Sequence, residues 1–166
     1  MSQKNNDQYS GDLEKYQYLT FLLSGELFAL EVLQVKEIIS YGMITPIPTM
    51  PSYVLGVINV RGDVVPIISL AKRFELKPSK ETIKTCIIIV SVKIEDELLD
   101  VGMVVDMVNQ VYTILPENIE QTPMFGTMLR KDFIKQIAKV DKKFISVLEI
   151  EGIVSLQEIT NEIGIL

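Results

Sequence analysis

The stretch Gly56-Val57-Ile58-Asn59-Val60-Arg61-Gly62-Asp63-Val64-Val65-Pro66-Ile67-Ile68-Ser69-Leu70 decides the fold class. Two apolar, β-branched runs flank Gly62-Asp63, and a two-residue turn opening on glycine suits a type II′ hairpin. Alternation puts Val57, Asn59 and Arg61 on one face and Ile58 and Val60 on the other. Asn59 and Arg61 are then polar interruptions of an otherwise apolar ribbon. Pro66 has no backbone donor, which places the return strand at a sheet edge or a bulge. A charged residue beside such a turn either docks a partner or guards the edge.

Similar signals recur outward from this hairpin. Tyr18 to Leu23 and Leu27 to Val32 flank Ser24-Gly25-Glu26 and predict a first hairpin. Val32 to Ile39 fits a helical turn or a strand equally well. Pro46, Pro48 and Pro51 exclude a helix interior from Ile44 to Pro51 and predict an extended edge or loop. Leu70 to Phe74 predicts a short helical turn, and Lys77 to Thr82 a polar connector between two halves. Cys86 to Ile94 and Leu99 to Asp106 pair around Glu95-Asp96-Glu97, and Met107 to Ile114 alternates again. Leu115 to Met128 reads as loop, and Phe133 to Val140 pairs with Phe144 to Ile150 around Asp141-Lys142-Lys143. Ile153, Leu156, Ile159 and Ile163 follow the helical period and predict a C-terminal amphipathic helix over about 153–163. About nine or ten short strands at regular spacing predict an all-β fold of small barrels or a sandwich. The domain boundaries expected are a loose N-terminal arm over 1–17, a first half over about 18–80 and a second over about 83–152.

Composition narrows the function. Of the 166 residues 48% are hydrophobic, enough for one domain or two small subdomains sharing a core. No apolar run approaches the roughly 20 residues of a membrane-spanning helix. The first residues lack the basic-then-apolar order of a secretion signal, so a cytoplasmic protein with no direct membrane insertion is expected. Sixteen basic against twenty-two acidic residues give a net charge of −6, which works against nucleic acid and anionic membrane as partners. The single Cys86 excludes an intrachain disulfide and a cysteine zinc site, and its apolar neighbours favour a buried, inert thiol.

The absence of histidine removes imidazole-based triads and the commonest general base at neutral pH. Phosphate-binding glycine loops, dinucleotide fingerprints and nucleophile elbows are also missing. No catalytic residue, cofactor-binding residue or metal ligand is identified, and no cofactor is expected. Carboxylates at Glu95-Asp96-Glu97, at Glu149 with Glu151 and at Asp100 with Asp106 leave a carboxylate hydrolase as an enzyme alternative, though solvated surface charge explains them more simply. A peptide- or ligand-binding β module of unrelated function is the other alternative.

Apolar residues are in surplus. Val104, Val105, Val108 and Val111 crowd a span whose alternation cannot bury both faces in one small barrel, and Val35 with Ile38-Ile39 raises the same difficulty. One continuous core between the halves would absorb them, and so would an exposed groove for a partner. Glu37 and Arg61 are either solvated strand-end charges or a pair at the mouth of that groove that orients an incoming segment.

Five segments carry a family resemblance: Leu30 to Ile38 with its closing Val35-Lys36-Glu37-Ile38, Pro51 to Gly56 after the proline segment, the central hairpin, Gly102-Met103-Val104-Val105-Asp106 with Val108 and Val111 beyond it, and Ile145 to Ile159. Together they resemble CheW-like domains over about Tyr18 to Ile163. The resemblance implies two five-stranded, SH3-like barrels related by a pseudo-twofold, with a groove between them and no enzymatic activity. It implies an adaptor that couples the cytoplasmic signalling tip of a chemoreceptor (a methyl-accepting chemotaxis protein) to the regulatory domain of the histidine kinase CheA. The chain would be recruited to membrane-associated chemosensory arrays and be a monomer in isolation. Carried over by motif, the receptor-facing residues are Val35, Glu37, Arg61, Val105, Val108 and Val111, with Arg61 the polar anchor and the valines the apolar floor. No kinase-binding residue transfers. Met107 departs from the family's pattern, in which small residues are common after the aspartate.

Overall fold

The structure, a computed structural model, describes residues 13–120 and 132–154. Eleven strands fill it: β1 Gln17–Leu23, β2 Glu26–Glu31, β3 Val35–Ser40, β4 Val54–Val60, β5 Asp63–Ser69, β6 Cys86–Ile94, β7 Glu97–Val105, β8 Met107–Thr113, β9 Ile119–Glu120, β10 Ile134–Val140 and β11 Lys143–Leu148. Two short helices follow two of the hairpins, α1 Leu70–Arg73 after β5 and α2 Ile150–Ile153 after β11. The ambiguous stretch after β2 is both things in turn, a 3₁₀ turn over Val32–Gln34 and then β3.

Each hairpin closes on two residues with positive φ: Ser24-Gly25 at 51° and 81°, Arg61-Gly62 at 51° and 90°, Glu95-Asp96 at 49° and 68°, Asp141-Lys142 at 50° and 65°. That is the type I′ signature, whose twist matches the flanking strands. The central turn therefore comprises Arg61-Gly62, with Val60 opposite Asp63, rather than Gly62-Asp63 in type II′. Asn59 helps to hold it, its side-chain oxygen accepting from the Gly62 amide at 3.0 Å.

The strands form a six-stranded sheet, ordered β8-β1-β2-β11-β10-β9, and a five-stranded one, ordered β3-β6-β7-β5-β4. Apart from β9, the two orders correspond place by place. Each contains two hairpins joined by a parallel contact, β2 with β11 and β5 with β7. Each also takes one edge strand from beyond the other sheet's hairpin: β3 follows β2 into the second sheet, and β8 follows β7 into the first. Sheet membership accordingly changes between β2 and β3 and again at Asp106, not at the polar connector of residues 77–82.

Pro66 lies inside its sheet, because β5 sits between β7 and β4. Val57, opposite it, exchanges both backbone hydrogen bonds with Thr45 at 2.9 Å, so Pro66 occupies a non-hydrogen-bonded position towards β4. On its other side the pairing with β7 begins only at Ile67. The missing donor thus falls where no ladder bond is formed.

Three apolar layers explain the surplus of valine and isoleucine. Along β6, Ile87 and Ile89 pack with Val65 and Ile67 in a cluster of the second sheet's own, while Ile88, Val90 and Val92 face a large cluster shared with Leu19, Phe21, Phe28 and Leu30 of the first sheet. The first sheet has its own cluster of Tyr18, Ala29, Ile114, Ala138, Ile145 and Val147. Strands buried on both faces need continuous apolar runs. The halves also meet at Arg73, whose guanidinium lies 4.4 Å from the Tyr53 ring and 5.0 Å from that of Phe133 and whose Nε donates to the Ile153 carbonyl at 2.8 Å. Helix α2 ends at Ile153, with Val154 in extended backbone, and the rest of the expected helix over 153–163 lies outside the described residues.

Candidate docking site

The two exchanged edge strands, β3 and β8, turn apolar side chains towards the layer between the sheets. On β3 the pairing slips by one residue at Lys36, so that Val35 lies opposite Val90 and Ile38 opposite Ile88, both of the shared cluster. On β8, Val108 lies opposite Phe21 and Val111 opposite Leu19, again both of that cluster. Residues directly opposite in an antiparallel pair share a face. Val35, Ile38, Val108 and Val111 therefore rim the same seam, Val35 and Val108 packed against its floor and Ile38 and Val111 remaining 44% and 50% exposed.

Cys86 lies in the floor of this furrow. It opens β6 opposite Ser40 of β3, and its thiol is hydrogen-bonded to the backbone of Val108 on β8. Burial pushes the thiol's pKa up, against the smaller lowering effect of that hydrogen bond. The half-buried cysteine is thus a packing group with weak thiolate character.

The charged residues fall on the other side of β3. Glu37 lies opposite Ile89, in the second sheet's own cluster. Arg61 reaches it from the hairpin turn with Nη1 2.8 Å from Oε2 and Nη2 3.5 Å from Oε1. Beside it Lys36 pairs with Asp100 at 2.6 Å, and that hydrogen bond raises the lysine pKa. The two pairs line a recess of about 60 Å³ with Val60, Asp63, Val65 and Ile89. With Arg61 76% exposed, its bond to Glu37 is a solvent-screened one of about 0.2–1 kcal/mol.

The six expected site residues are thus divided. Val35, Val108 and Val111 share the furrow; Glu37 and Arg61 pair across the opposite face of β3, not at the furrow's lip. Val105 is fully buried in the shared core and offers no surface. Ile38 belongs with the exposed apolar set, and its spacing of three from Val35 concealed this, because an unbulged strand would have turned the two apart.

Asp106 has a positioning role that its motif alone did not convey. It joins β7 to β8, where the chain changes sheets, and its Oδ2 accepts from the Ser24 amide at 2.8 Å and the Ser79 hydroxyl at 2.6 Å. Its own amide donates to Leu22 at 3.1 Å. The crossover, the β1–β2 turn and the connector are tied at one carboxylate. Asp100 is likewise committed to Lys36 and Ser91. Glu95, Asp96 and Glu97 are exposed at a turn. Asp100 and Asp106, weighed above as a carboxylate pair, are thus each held by separate hydrogen-bond partners.

The CheW-like domain family model matches residues 17–158. The chain belongs to the CheW-like domain family. Among its relatives, the probable chemotaxis protein CheW of Rhizobium etli is 35% identical over 140 residues, covering 84% of this chain and 88% of that one. The chemotaxis protein CheW of Bacillus subtilis is 33% identical over 136 residues, covering 81% and 84%. The crystal structure of the scaffolding protein TtCheW from Thermoanaerobacter tengcongensis superposes with a TM-score of 0.77 at 32% identity, covering 87% of this chain and 97% of that one. As a CheW-like protein the chain has the role of a non-enzymatic coupling adaptor in chemotaxis. No helix among the described residues is long and apolar enough to cross a membrane.

Proposed function

We propose that the furrow between β3 and β8 receives the helical signalling tip of a chemoreceptor, while another surface of the same chain binds the regulatory domain of the kinase CheA. The observation that carries this reading is the set of apolar side chains that the edge strands of the two sheets turn to the shared cluster, Val35 and Ile38 on one and Val108 and Val111 on the other. An amphipathic helix laid in such a furrow buries its apolar face against them. Val105 supports the floor from within, and the Glu37–Arg61 pair braces β3 from behind while leaving most of the guanidinium free for a polar contact at the strand's end. A protein that docks to receptors in this way works in the cytoplasm at membrane-associated arrays, a monomer until assembled.

The test is co-sedimentation of the purified chain with a receptor signalling fragment and with the kinase regulatory domain, separately and together. Binding to each alone, and a ternary assembly with both, is the expected result. Val111→Lys is expected to abolish receptor binding while leaving the melting temperature unchanged. Failure to bind the receptor fragment while binding the kinase domain would refute the furrow assignment.

A further inference from the structure

Val108 and Val111 stand three residues apart, an odd spacing that in a regular strand sends two side chains to opposite faces. They share a face because the pairing shifts between Leu19 and Phe21, leaving Asn109 and Gln110 together opposite Thr20. A bulge of this kind deprives backbone groups of a ladder partner, and Thr20 provides one. Its hydroxyl donates to the Gln110 carbonyl at 2.6 Å and accepts from the Gln110 amide at 3.2 Å and the Asn109 side-chain amide at 3.3 Å. Thr20 is fully buried, and among the described residues only Ser69 is the other buried polar one. A hydroxyl at such a position costs stability unless it is satisfied. Here it is satisfied by the displaced backbone of β8 itself.

We propose that Thr20 is a positioning residue for docking: its hydroxyl holds the β8 bulge, and the bulge turns Val108 and Val111 to the same side of the furrow. This rests on the docking role proposed above. Thr20 itself touches no partner, since it is sealed beneath the strand it orients. Its effect on binding is exerted through the phase of β8 alone.

Thr20→Val keeps the side chain's shape and removes its hydrogen bonds, whereas Thr20→Ser keeps the hydroxyl. In the full chain the readouts are binding to a receptor signalling fragment, the nuclear Overhauser contact between the Val108 and Val111 methyl groups, and hydrogen exchange at the Gln110 amide. Thr20→Val is expected to lose the methyl contact and to bind on the order of tenfold more weakly, the scale of one interface anchor, and Thr20→Ser to retain both. A Thr20→Val variant that keeps the methyl contact, or loses it and still binds normally, overturns the proposal. The wild-type chain supplies a check that needs no variant to fold: its Gln110 amide, bonded to the Thr20 hydroxyl, is expected to be protected although the residue is exposed, and exchange at the rate of an unstructured amide also overturns the proposal. Val111→Lys separates the two possible failures. If it binds as tightly as wild type, the docking role of the furrow is at fault; if it abolishes binding while Thr20→Val does not weaken it, the assignment of Thr20 is.

Discussion

Val105 and Val111 come from one short run and looked interchangeable as groove valines, yet their surroundings require opposite responses to substitution. Val105 is 0% exposed and packs in the shared core, whereas Val111 is 50% exposed on an edge strand. Val105→Ala removes two fully buried methyl groups and leaves a void, a loss of about 2–3 kcal/mol when transfer and cavity contributions are combined. For a domain of this size that lowers the melting temperature by about 5–10 °C. Val111→Lys gives up about half a valine's burial, about 1 kcal/mol or less, because the lysine stem lies along the surface with its ammonium in water. In the proposed complex, however, it places an unpaired charge under the incoming helix. Thermal unfolding and co-sedimentation with a receptor signalling fragment should therefore cross: Val105→Ala melts early but binds when folded, and Val111→Lys melts normally and fails to bind. Equal loss of melting temperature in both variants would refute the separation of core from furrow, and normal binding by Val111→Lys would refute the furrow.

Asp106→Ala should cost about 1–3 kcal/mol in urea unfolding, since the Ser24 amide and the Ser79 hydroxyl lose a shared acceptor at the sheet crossover; an unchanged midpoint would contradict that role. Gly102→Ala should destabilise by about 1–3 kcal/mol, because an added Cβ would overlap Ile67 Cδ1 and lie 2.8 Å from Ile87 Cγ2, and a chain as stable as wild type would show that the second sheet's cluster yields. Cys86 should alkylate with iodoacetamide more slowly in the native chain than in the urea-unfolded chain. The folded thiol's pKa is raised, so its contribution to stability is complete below the unfolded-state value and is lost as pH climbs towards the folded one. Equal alkylation rates in the two states would show the thiol to be unprotected.

Much of this fold was legible locally. The hairpins and the short helix after Ser69 appear where spacing and turn chemistry placed them, and the proline segment is loop that touches its sheet at the Thr45–Val57 bridge. Turn register was less legible. Arg61-Gly62 and Gly62-Asp63 are both plausible two-residue turns, and the choice is made by pairing along the whole of β4 and β5, with a one-residue slip exchanging every face. Pro66 is interior for a comparable reason, because only the neighbouring strands determine where a ladder bond is absent.

By itself the sequence determined that this chain is built of short paired strands with more valine and isoleucine than one small sheet can hide, and its five motifs were enough to indicate the family. Tertiary structure decided how that surplus is divided. The exchange of β3 and β8 between sheets creates a shared apolar layer that absorbs Val105, and the two bulged edge strands turn Val35, Ile38, Val108 and Val111 onto one seam. Periodicity along a strand records which residues alternate but not which strand lies beside it, nor where an extra residue reverses the phase. Those depend on contacts between residues far apart in the chain, such as the hydroxyl of Thr20 with the backbone of Gln110.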